Sequence, residues 1–371
     1  MDKIHLTVRL NLHYNYANVL PNCSMKSKQR VTIIDVAKAA DVSPGTVSRV
    51  LNHRTSNSKI SKETQRQVLE VVEQLGYRPN LFASALRTHR TGVIGAVVRD
   101  INDPFLLLIT QELQKAAQSQ EIELFLSCAN YDPEIARRQI NVMSNWFDGL
   151  LMIGDMLDRL AAISSLNLQD MYITEWTESS KNSKPLVRIN DARGTILGLD
   201  YLYTLGHRRI AFIGNIEYAG IRERLATFRL YVEEKSLFWV DAYLQPCPNT
   251  REAAITCTHN LLNLPTPPTA IFCMSDLLAL GSMSGARQMD WRVPGTISII
   301  GFDDIKESAT VFPCLTTIRQ PVRDMAIKSF DLLMDSIDGT LMEDFHLPII
   351  VEPKLIVRNS CSPPLINCAE E

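Results

Sequence analysis

The 371-residue chain contains no run of 18 consecutive apolar residues, and its first 24 residues interrupt their apolar side chains with Asn, His and Arg. The first absence argues against a membrane-spanning helix, and the second argues against a secretory signal, which needs a continuous apolar segment. We therefore expect a cytoplasmic protein with no membrane partner. The hydrophobic fraction of 46% and a length beyond that of one ordinary domain predict two or three folded units.

The eight cysteines lack the spacing of a metal site or a redox centre. No pair forms a CxxC motif, and no histidine stands at zinc-ligand spacing from a cysteine. A phosphate loop and a nucleophile–base arrangement are also missing from the sequence. These absences predict free thiols, no metal, no cofactor and no catalytic activity.

The formal net charge of −3 conceals an uneven distribution. Residues 25–90 hold 12 Lys and Arg against 5 Asp and Glu, a balance of +7, whereas residues 91–371 carry −11. A small basic segment on a larger acidic body indicates a polyanionic partner for that segment alone. A basic face that is merely solvated would give the same charge, so the motifs in the segment must decide.

Three short helical patterns lie within the basic segment. Thr32 is placed to cap a first helix, Ser43 a second and Ser61 a third, and a tight turn at residues 41–43 separates the first two. Two helices joined in this way form a helix-turn-helix, and the apolar stripe of the third helix would pack on both. A generic helical hairpin with a polar face is the alternative if this motif is taken alone.

The second helix begins with Pro44 and Gly45, which have no hydrogen-bonding side chain. Proline suits a first helical turn because its missing N–H has no intrahelical partner there, and glycine allows close approach to a surface. In a DNA major groove Pro44 could contact a thymine methyl, so hydrogen-bonded base reading would fall mainly to Arg49. Thr46 and Ser48 suit phosphate contacts.

Residues 31–95 resemble the DNA-binding head and hinge of the LacI (lactose repressor) family of bacterial transcription regulators. The resemblance rests on DVAKAADVSPGTVSRVLN, GYRPN and TGVIG, and it continues to about residue 358, although NHRTSNSKIS looks longer than the matching loop. It implies a homodimer that reads both halves of a palindromic double-stranded operator, with Leu86 opening a minor-groove base step. The implied DNA-binding residues are Thr32, Ser43, Pro44, Gly45, Thr46, Ser48, Arg49, Asn52, Tyr77, Asn80, Ala83 and Leu86.

The resemblance and the sequence patterns together divide the chain into five parts. These are an extension at 1–24 that is disordered or precedes the true start at Met25, a helix-turn-helix domain at 25–78, a hinge helix at 79–90, an effector-binding and dimerisation domain at 91–358, and a flexible tail at 359–371. We expect the chain to cross between two lobes of the effector domain near residues 187 and 318. The tail has no leucine heptads, which favours a dimer over a tetramer.

From residue 91 onwards, apolar strand patterns such as GVIGAVV, RRIAFIG and ISIIGFDD alternate with helical patterns. Repeated β-α units with almost continuous apolar strands are typical of parallel sheets covered by helices on both faces. The expected fold class is therefore a small all-α helix-turn-helix head joined to an α/β, two-lobe, periplasmic-binding-protein-like effector domain. Ligands of such folds bind beyond the carboxyl ends of the strands.

Polar residues follow several of these strands, although a single Asp at a strand end is more often a surface turn or a helix cap. By position, the family resemblance implies that Arg224 and Asp303 bind effector hydroxyls, that Ser275 and Asp276 lie beside them, and that Phe105 forms an aromatic wall. Thr227 replaces a common family glycine, and QPCPNT lacks the usual aromatic residue. These departures leave the identity of the effector open.

The favoured function is a transcription regulator, a repressor, controlled by a sugar or sugar derivative. A regulator that responds to a nucleoside or purine is the first alternative. A sugar-binding transport protein would need a secretion signal and no basic head. An enzyme that used Asp303 and Asp304 as acid and base is also disfavoured, because adjacent residues of an extended segment point to opposite sides.

Overall fold

The computed structural model describes residues 31–51, 60–78, 90–154, 172–174, 187–217, 219–340 and 348–365. The chain forms two compact units, residues 1–84 and 85–371. The expected extension at 1–24 and nearly all of the expected hinge helix lie outside the described residues. Within the described ranges, no helix has both the length and the apolar composition needed to cross a membrane.

The first unit contains three helices, α1 (Ile33–Ala39), α2 (Pro44–Leu51) and α3 (Lys62–Leu75). Each begins where a hydroxyl can cap it, since the side chains of Thr32, Ser43 and Ser61 accept hydrogen bonds from backbone N–H groups of their first turns. The three helices share a small core of Val36, Ala37, Ala40, Val47, Val50 and Val68. The predicted helix-turn-helix is therefore confirmed.

The second unit begins with a lobe built on a four-stranded parallel sheet. Its strands are β1 (Val93–Val98), β2 (Glu123–Cys128), β3 (Gly149–Ile153) and β4 (Tyr172–Thr174), in the spatial order β2-β1-β3-β4. All six residues of β1 are buried, as expected for a central parallel strand. Helices α4 (Pro104–Ser119) and α5 (Pro133–Ser144) follow β1 and β2.

The second lobe contains a six-stranded sheet in the order β12-β10-β9-β8-β6-β7. Only β12 is antiparallel to its neighbour. The strands are β6 (Ile210–Gly214), β7 (Leu244–Pro246), β8 (Ala270–Cys273), β9 (Ser298–Asp303), β10 (Thr316–Arg319) and β12 (Lys354–Ile356). The helices are α6 (Asp191–Thr204), α7 (Ala219–Glu234), α8 (Arg251–Leu262) and α9 (Asp276–Gln288), with short 3-10 turns at Asp241–Tyr243 and Lys306–Ala309.

The chain passes between the lobes at three places. The strands β5 (Val187–Ile189) and β11 (Ile349–Val351) pair with each other in parallel, outside both larger sheets. The third passage follows β10, where the chain continues into α10 (Val322–Asp338), a helix that packs on α4, β3 and β4 of the first lobe. A cleft therefore lies between two lobes that share these connections.

The structure corrects the expectation of a flexible tail for residues 359–365. Ser360 is fully buried, donates to the Ile299 carbonyl at 2.5 Å and accepts from the Thr316 N–H at 2.9 Å. The Ser362 carbonyl lies 3.0 Å from Nε2 of the buried His207. Two prolines and a missing helical pattern suggested flexibility, but hydrogen bonds to the second lobe fix this segment.

Candidate DNA-binding surface and effector cavity

The first turn of α2 presents a continuous exposed surface. Ser43, Pro44, Gly45 and Arg49 are exposed, whereas Val47 and Val50 of the same helix are buried. The Nε of Arg49 donates to the Gly45 carbonyl at 3.2 Å, so the guanidinium lies over the exposed turn. The polar face of α2 is thus available for contact with another molecule.

The structure gives no internal packing reason for glycine at position 45. A methyl group added there would meet only the Ser43 Oγ, at 3.8 Å, which is ordinary contact. Glycine at this position leaves open space beside the first turn of α2.

The other predicted DNA-binding residues have different surroundings. Thr32 is exposed at the start of α1, and Thr46 and Ser48 are partly buried on α2. Tyr77 packs against the core of the head, where burial raises the pKa of its hydroxyl. The predicted contacts of Asn52, Asn80, Ala83 and Leu86 lie outside the described residues.

A cavity of about 760 Å³, open to solvent, lies between the lobes. Both lobes and the connecting segments line it. The lining residues are Arg99, Asp103, Phe105, Leu106, Gly154, Val187, Arg188, Ile189, Asp191, Gly220, Ile221, Arg224, Asn249, Met274, Ser275, Asp303 and Gln320. The structure thus brings together four of the five predicted effector residues, Phe105, Arg224, Ser275 and Asp303.

Arg224 is held rigidly in the wall of this cavity. Its Nε donates to Asp191 at 2.6 Å, its Nη1 donates to the Met274 carbonyl at 2.6 Å, and its guanidinium lies 3.5 Å from the centroid of the Phe302 ring. Both partners of the ion pair are buried. Burial raises the pKa of Asp191, and the charge and hydrogen bond of Arg224 oppose that shift.

Asp303, at the end of β9, has the most unusual backbone of the cavity. Its φ angle is 123°, in a region that side chains other than glycine rarely adopt. Its Oδ1 accepts from Nε2 of Gln320 at 2.7 Å. Burial, with the charge of Asp276 second, raises its pKa well above the usual range. Backbone strain at a buried carboxyl is typical of functional sites.

Asn249 links the two lobes across the cavity. Its Oδ1 accepts from the Ser275 hydroxyl at 2.6 Å, and its Nδ2 donates to Asp103 at 3.3 Å. Asp103 also caps α4 through the Phe105 N–H, and Ser275 caps α9 through the Leu278 N–H. The ends of two helices from different lobes are therefore joined through one amide.

Asp276 was predicted to lie in the effector site, but the structure places it outside the cavity lining. It is fully buried and accepts from the Ile305 N–H at 2.9 Å and the hydroxyls of Ser308 and Thr317 at 2.6 and 2.5 Å. Burial raises its pKa to about 7, against the opposing effect of these hydrogen bonds. Its side chain fastens the loop after β9 to α9, and both of its oxygens accept hydrogen bonds within the second lobe.

Among the cavity residues that were not identified from the sequence as effector contacts are Asp191, Asn249 and Gln320. Asp191 lies two residues after β5 and Gln320 directly follows β10, so the rule that ligands bind beyond strand ends could have identified them. Asn249 lies in the QPCPNT loop, where only the missing aromatic residue was noted. Its role as a bridge depends on the distance between the lobes, which the sequence does not contain.

Comparison with known proteins agrees with both units. Residues 32–80 match the model of bacterial regulatory proteins of the lacI family, and residues 199–361 match a periplasmic binding protein-like domain. The HTH-type transcriptional regulator DegA of Bacillus subtilis (strain 168) is 31% identical over 343 residues, covering 90% of this chain and 99% of DegA. The HTH-type transcriptional repressor PurR of Histophilus somni (strain 2336) is 30% identical, covering 89% and 98%.

Solved structures show the same architecture. The lac repressor dimer bound to operator and the anti-inducer ONPF has a TM-score of 0.78 at 25% identity, covering 90% of this chain and 100% of that one. A complex of the transcriptional regulator CelR with cellobiose has a TM-score of 0.65 at 25% identity, with 89% and 100% covered. The chain therefore belongs to the LacI family of DNA-binding transcriptional regulators.

Proposed function

We propose that this protein is a homodimeric repressor whose affinity for a palindromic operator is controlled by a neutral carbohydrate in the cavity between the lobes. The observation that carries the proposal is the buried carboxyl of Asp303, which lines the cavity close to Arg224. A carboxylate accepts hydrogen bonds and a guanidinium donates them, which suits neighbouring hydroxyls of a sugar. Phe105 supplies an apolar wall against a sugar face.

The ion pairs of the cavity favour a neutral ligand over a phosphorylated one. Three arginines line the cavity, and each has an acidic partner: Arg99 with Asp103 at 3.3 Å, Arg188 with Glu223 at 3.0 Å and Arg224 with Asp191 at 2.6 Å. Asp303 adds a further carboxyl. Among the lining residues that the structure describes, a phosphate would therefore meet no excess of positive charge.

A purine or nucleoside effector is the alternative that the PurR relatives suggest, and the cavity does not favour it. Of the lining residues in the described ranges, Phe105 alone is aromatic, and planar bases are commonly held by stacking. The polar lining residues instead include donors such as Arg188 and acceptors such as Asp303, which suits a ligand with many hydroxyls.

The surroundings of Asp304 support binding without catalysis. Its carboxylate accepts from Arg319 at 2.5 Å and Arg358 at 2.6 Å, and it does not line the cavity. Asp303 thus has no second carboxyl from its own strand end with which to act as an acid–base pair. We propose that the effector is bound and released unchanged, in the cytoplasm, where the DNA is.

On the DNA side, we propose that Arg49 reads a base edge while Ser43, Thr46 and Ser48 contact phosphates, with Pro44 and Gly45 against the groove. The exposure of the first turn of α2 and the open space beside Gly45 support this assignment. Thr32, Asn52, Tyr77 and Asn80 are proposed as further backbone contacts, and Ala83 and Leu86 as minor-groove contacts of the hinge.

A ligand panel tests the effector class. The melting temperature of the full chain is measured with neutral mono- and disaccharides, including D-ribose, D-galactose and cellobiose, with the corresponding sugar phosphates, and with purine bases and nucleosides. A neutral sugar should raise the melting temperature, because a ligand that binds only the folded state stabilises it. Stabilisation by a purine or a sugar phosphate alone would contradict the proposed effector class.

A further inference from the structure

Residues 90–92 are the first described residues of the second unit, and two groups hold them in place. Asp148, directly before β3, accepts from the Thr91 N–H at 2.7 Å, the Thr91 hydroxyl at 2.8 Å and the Gly92 N–H at 2.8 Å. Arg90 binds the last residues of α10: Nη2 donates to the Ile337 carbonyl at 3.0 Å, and Nη1 forms an ion pair with Asp338.

Arg90 suits this end of α10 for electrostatic reasons. The final carbonyls of a helix have no intrahelical donor, and the helix dipole favours a cation there. Arg90 and Asp338 have side-chain exposures of 46% and 44%, so their ion pair contributes little to folding stability. Its removal should leave the protein folded.

The opposite end of α10 contacts the effector cavity. Gln320, two residues before the helix, is buried, lines the cavity and donates to Asp303 at 2.7 Å. The Gln320 carbonyl accepts from the Val322 N–H at 2.9 Å, which ties the residue to the first turn of the helix. One continuous helix of 17 residues, about 25 Å long, thus has one end at the cavity and the other at Arg90.

Tight packing joins α10 to its surroundings. Met325, Ala326, Phe330, Leu332 and Leu333 are buried along its inner face. At its last turns, the helix approaches β3 so closely that a methyl group on Gly149 would lie 2.9 Å from Leu333 and 3.0 Å from Ile337. Gly149 follows Asp148, so the end of α10 and the anchor of residues 91–92 form one packed assembly.

We propose that α10 connects the effector cavity to the segment leading to the DNA-binding head, and that Arg90 and Asp338 are positioning residues for this coupling. The inference rests on the proposed effector control. A ligand that changes the position of Asp303 moves Gln320 and the start of α10, and the packed helix transfers that displacement to Arg90. Residues 90–92, which follow the hinge in the sequence, then move with the end of the helix.

Asp338→Asn tests the coupling from the side of the helix. DNA affinity is measured with and without the neutral sugar that gives the largest thermal shift in the panel, and the affinity for that sugar is measured by calorimetry. Sugar affinity should stay within about twofold of the wild type, while the effect of the sugar on DNA affinity should fall roughly three- to tenfold. Arg90→Gln should give the same loss of response.

Arg137→Gln is the matched control, because Arg137 is also a partly exposed arginine of the first lobe in an ion pair, with Glu134. It should keep the full response. An unchanged response in Asp338→Asn would overturn the proposal. So would an Arg90→Gln variant that lost DNA affinity equally with and without sugar, since Arg90 would then act as a direct DNA contact.

A measurement without any sugar separates this inference from the proposed function. Hydrogen exchange of the full chain is compared between the wild type and Gln320→Ala, which breaks the contact between α10 and Asp303. Exchange at Thr91 and Gly92 should rise at least about threefold, although Gln320 lies at the far end of the helix. A change confined to the first turns of α10 would overturn the connection even if a sugar controls DNA binding.

Discussion

Replacing Asp303 with asparagine should separate effector binding from folding. Alanine is a poor choice at this position, because the φ angle of 123° would strain it, whereas asparagine tolerates positive φ better than most residues. The asparagine Oδ1 can still accept from Gln320 Nε2, the partner of the native carboxyl. The variant therefore removes the charge while keeping the shape and the known hydrogen bond.

The effect on effector binding follows from hydrogen-bond strength. A hydrogen bond to a charged group contributes about 1.5–3 kcal/mol. At a pH above the raised pKa of Asp303, two sugar hydroxyls that donated to its carboxylate would together lose about 3 kcal/mol on conversion to the amide, which is roughly a 100-fold loss of affinity. Calorimetry with the sugar that stabilises the wild type measures this loss.

The effect on stability has the opposite sign. Burial raises the pKa of Asp303, so the folded protein holds that proton more tightly than the unfolded chain does. Stability is therefore lost as pH rises from the unfolded pKa, about 3.9, towards the raised folded pKa. Asp303→Asn abolishes this loss, so the melting temperature of the variant relative to the wild type should increase from pH 4 to pH 8. Unchanged sugar affinity together with no relative stabilisation at pH 8 would refute this reasoning.

Three further predictions concern the head, the inter-lobe bridge and the tail. Arg49→Ala should cost about 1–3 kcal/mol of binding free energy on the specific operator and relax the preference at one base pair of each half-site, whereas Arg66→Ala on α3 should not relax it. Equal losses of affinity on specific and random DNA would show that Arg49 does not read a base. Asn249→Asp should weaken sugar binding more than Asn249→Ala, because it places a carboxylate against Asp103 and so opposes closure of the cleft. Calorimetry that shows the weaker sugar binding for Asn249→Ala would contradict the role of Asn249 as a bridge between the lobes. Burial lowers the pKa of His207 to about 4, so this side chain stays neutral in the folded protein at a pH where it is protonated in the unfolded chain. The free energy of unfolding should therefore fall by up to about 3 kcal/mol between pH 6.5 and pH 4, and urea unfolding of His207→Gln should show a smaller fall.

The sequence predicted the parts of the fold that depend on local chemistry. Thr32, Ser43 and Ser61 could be recognised as caps because a hydroxyl before an apolar helical pattern has a defined partner in the next turn. The parallel sheets followed from nearly continuous apolar strands such as β1 and β9. Arg224 and Asp303 were assigned to one cavity by their positions in the family pattern, and the rule that ligands bind beyond strand ends agreed with that assignment.

The remaining features depend on tertiary distances. Asp276 and Asp303 both follow apolar strands, and only the structure reveals that Ser308 and Thr317 surround the first while the second lines the cavity. The docking of residues 359–365 requires the buried acceptors and donors of the second lobe. The contact between Arg90 and the end of α10 joins residues 247 positions apart in the chain, and no local sequence pattern predicts it.

The central claim is that a neutral sugar bound between the lobes controls operator binding by the head. The most direct measurement selects operator sequences from random DNA with the full chain and then titrates the selected site by fluorescence anisotropy, with and without the stabilising sugar. A palindrome should be enriched, and the sugar should change the affinity for it at least about tenfold in the wild type but much less in Asp303→Asn. Enrichment of a palindrome whose affinity the sugar leaves unchanged in the wild type would contradict the account.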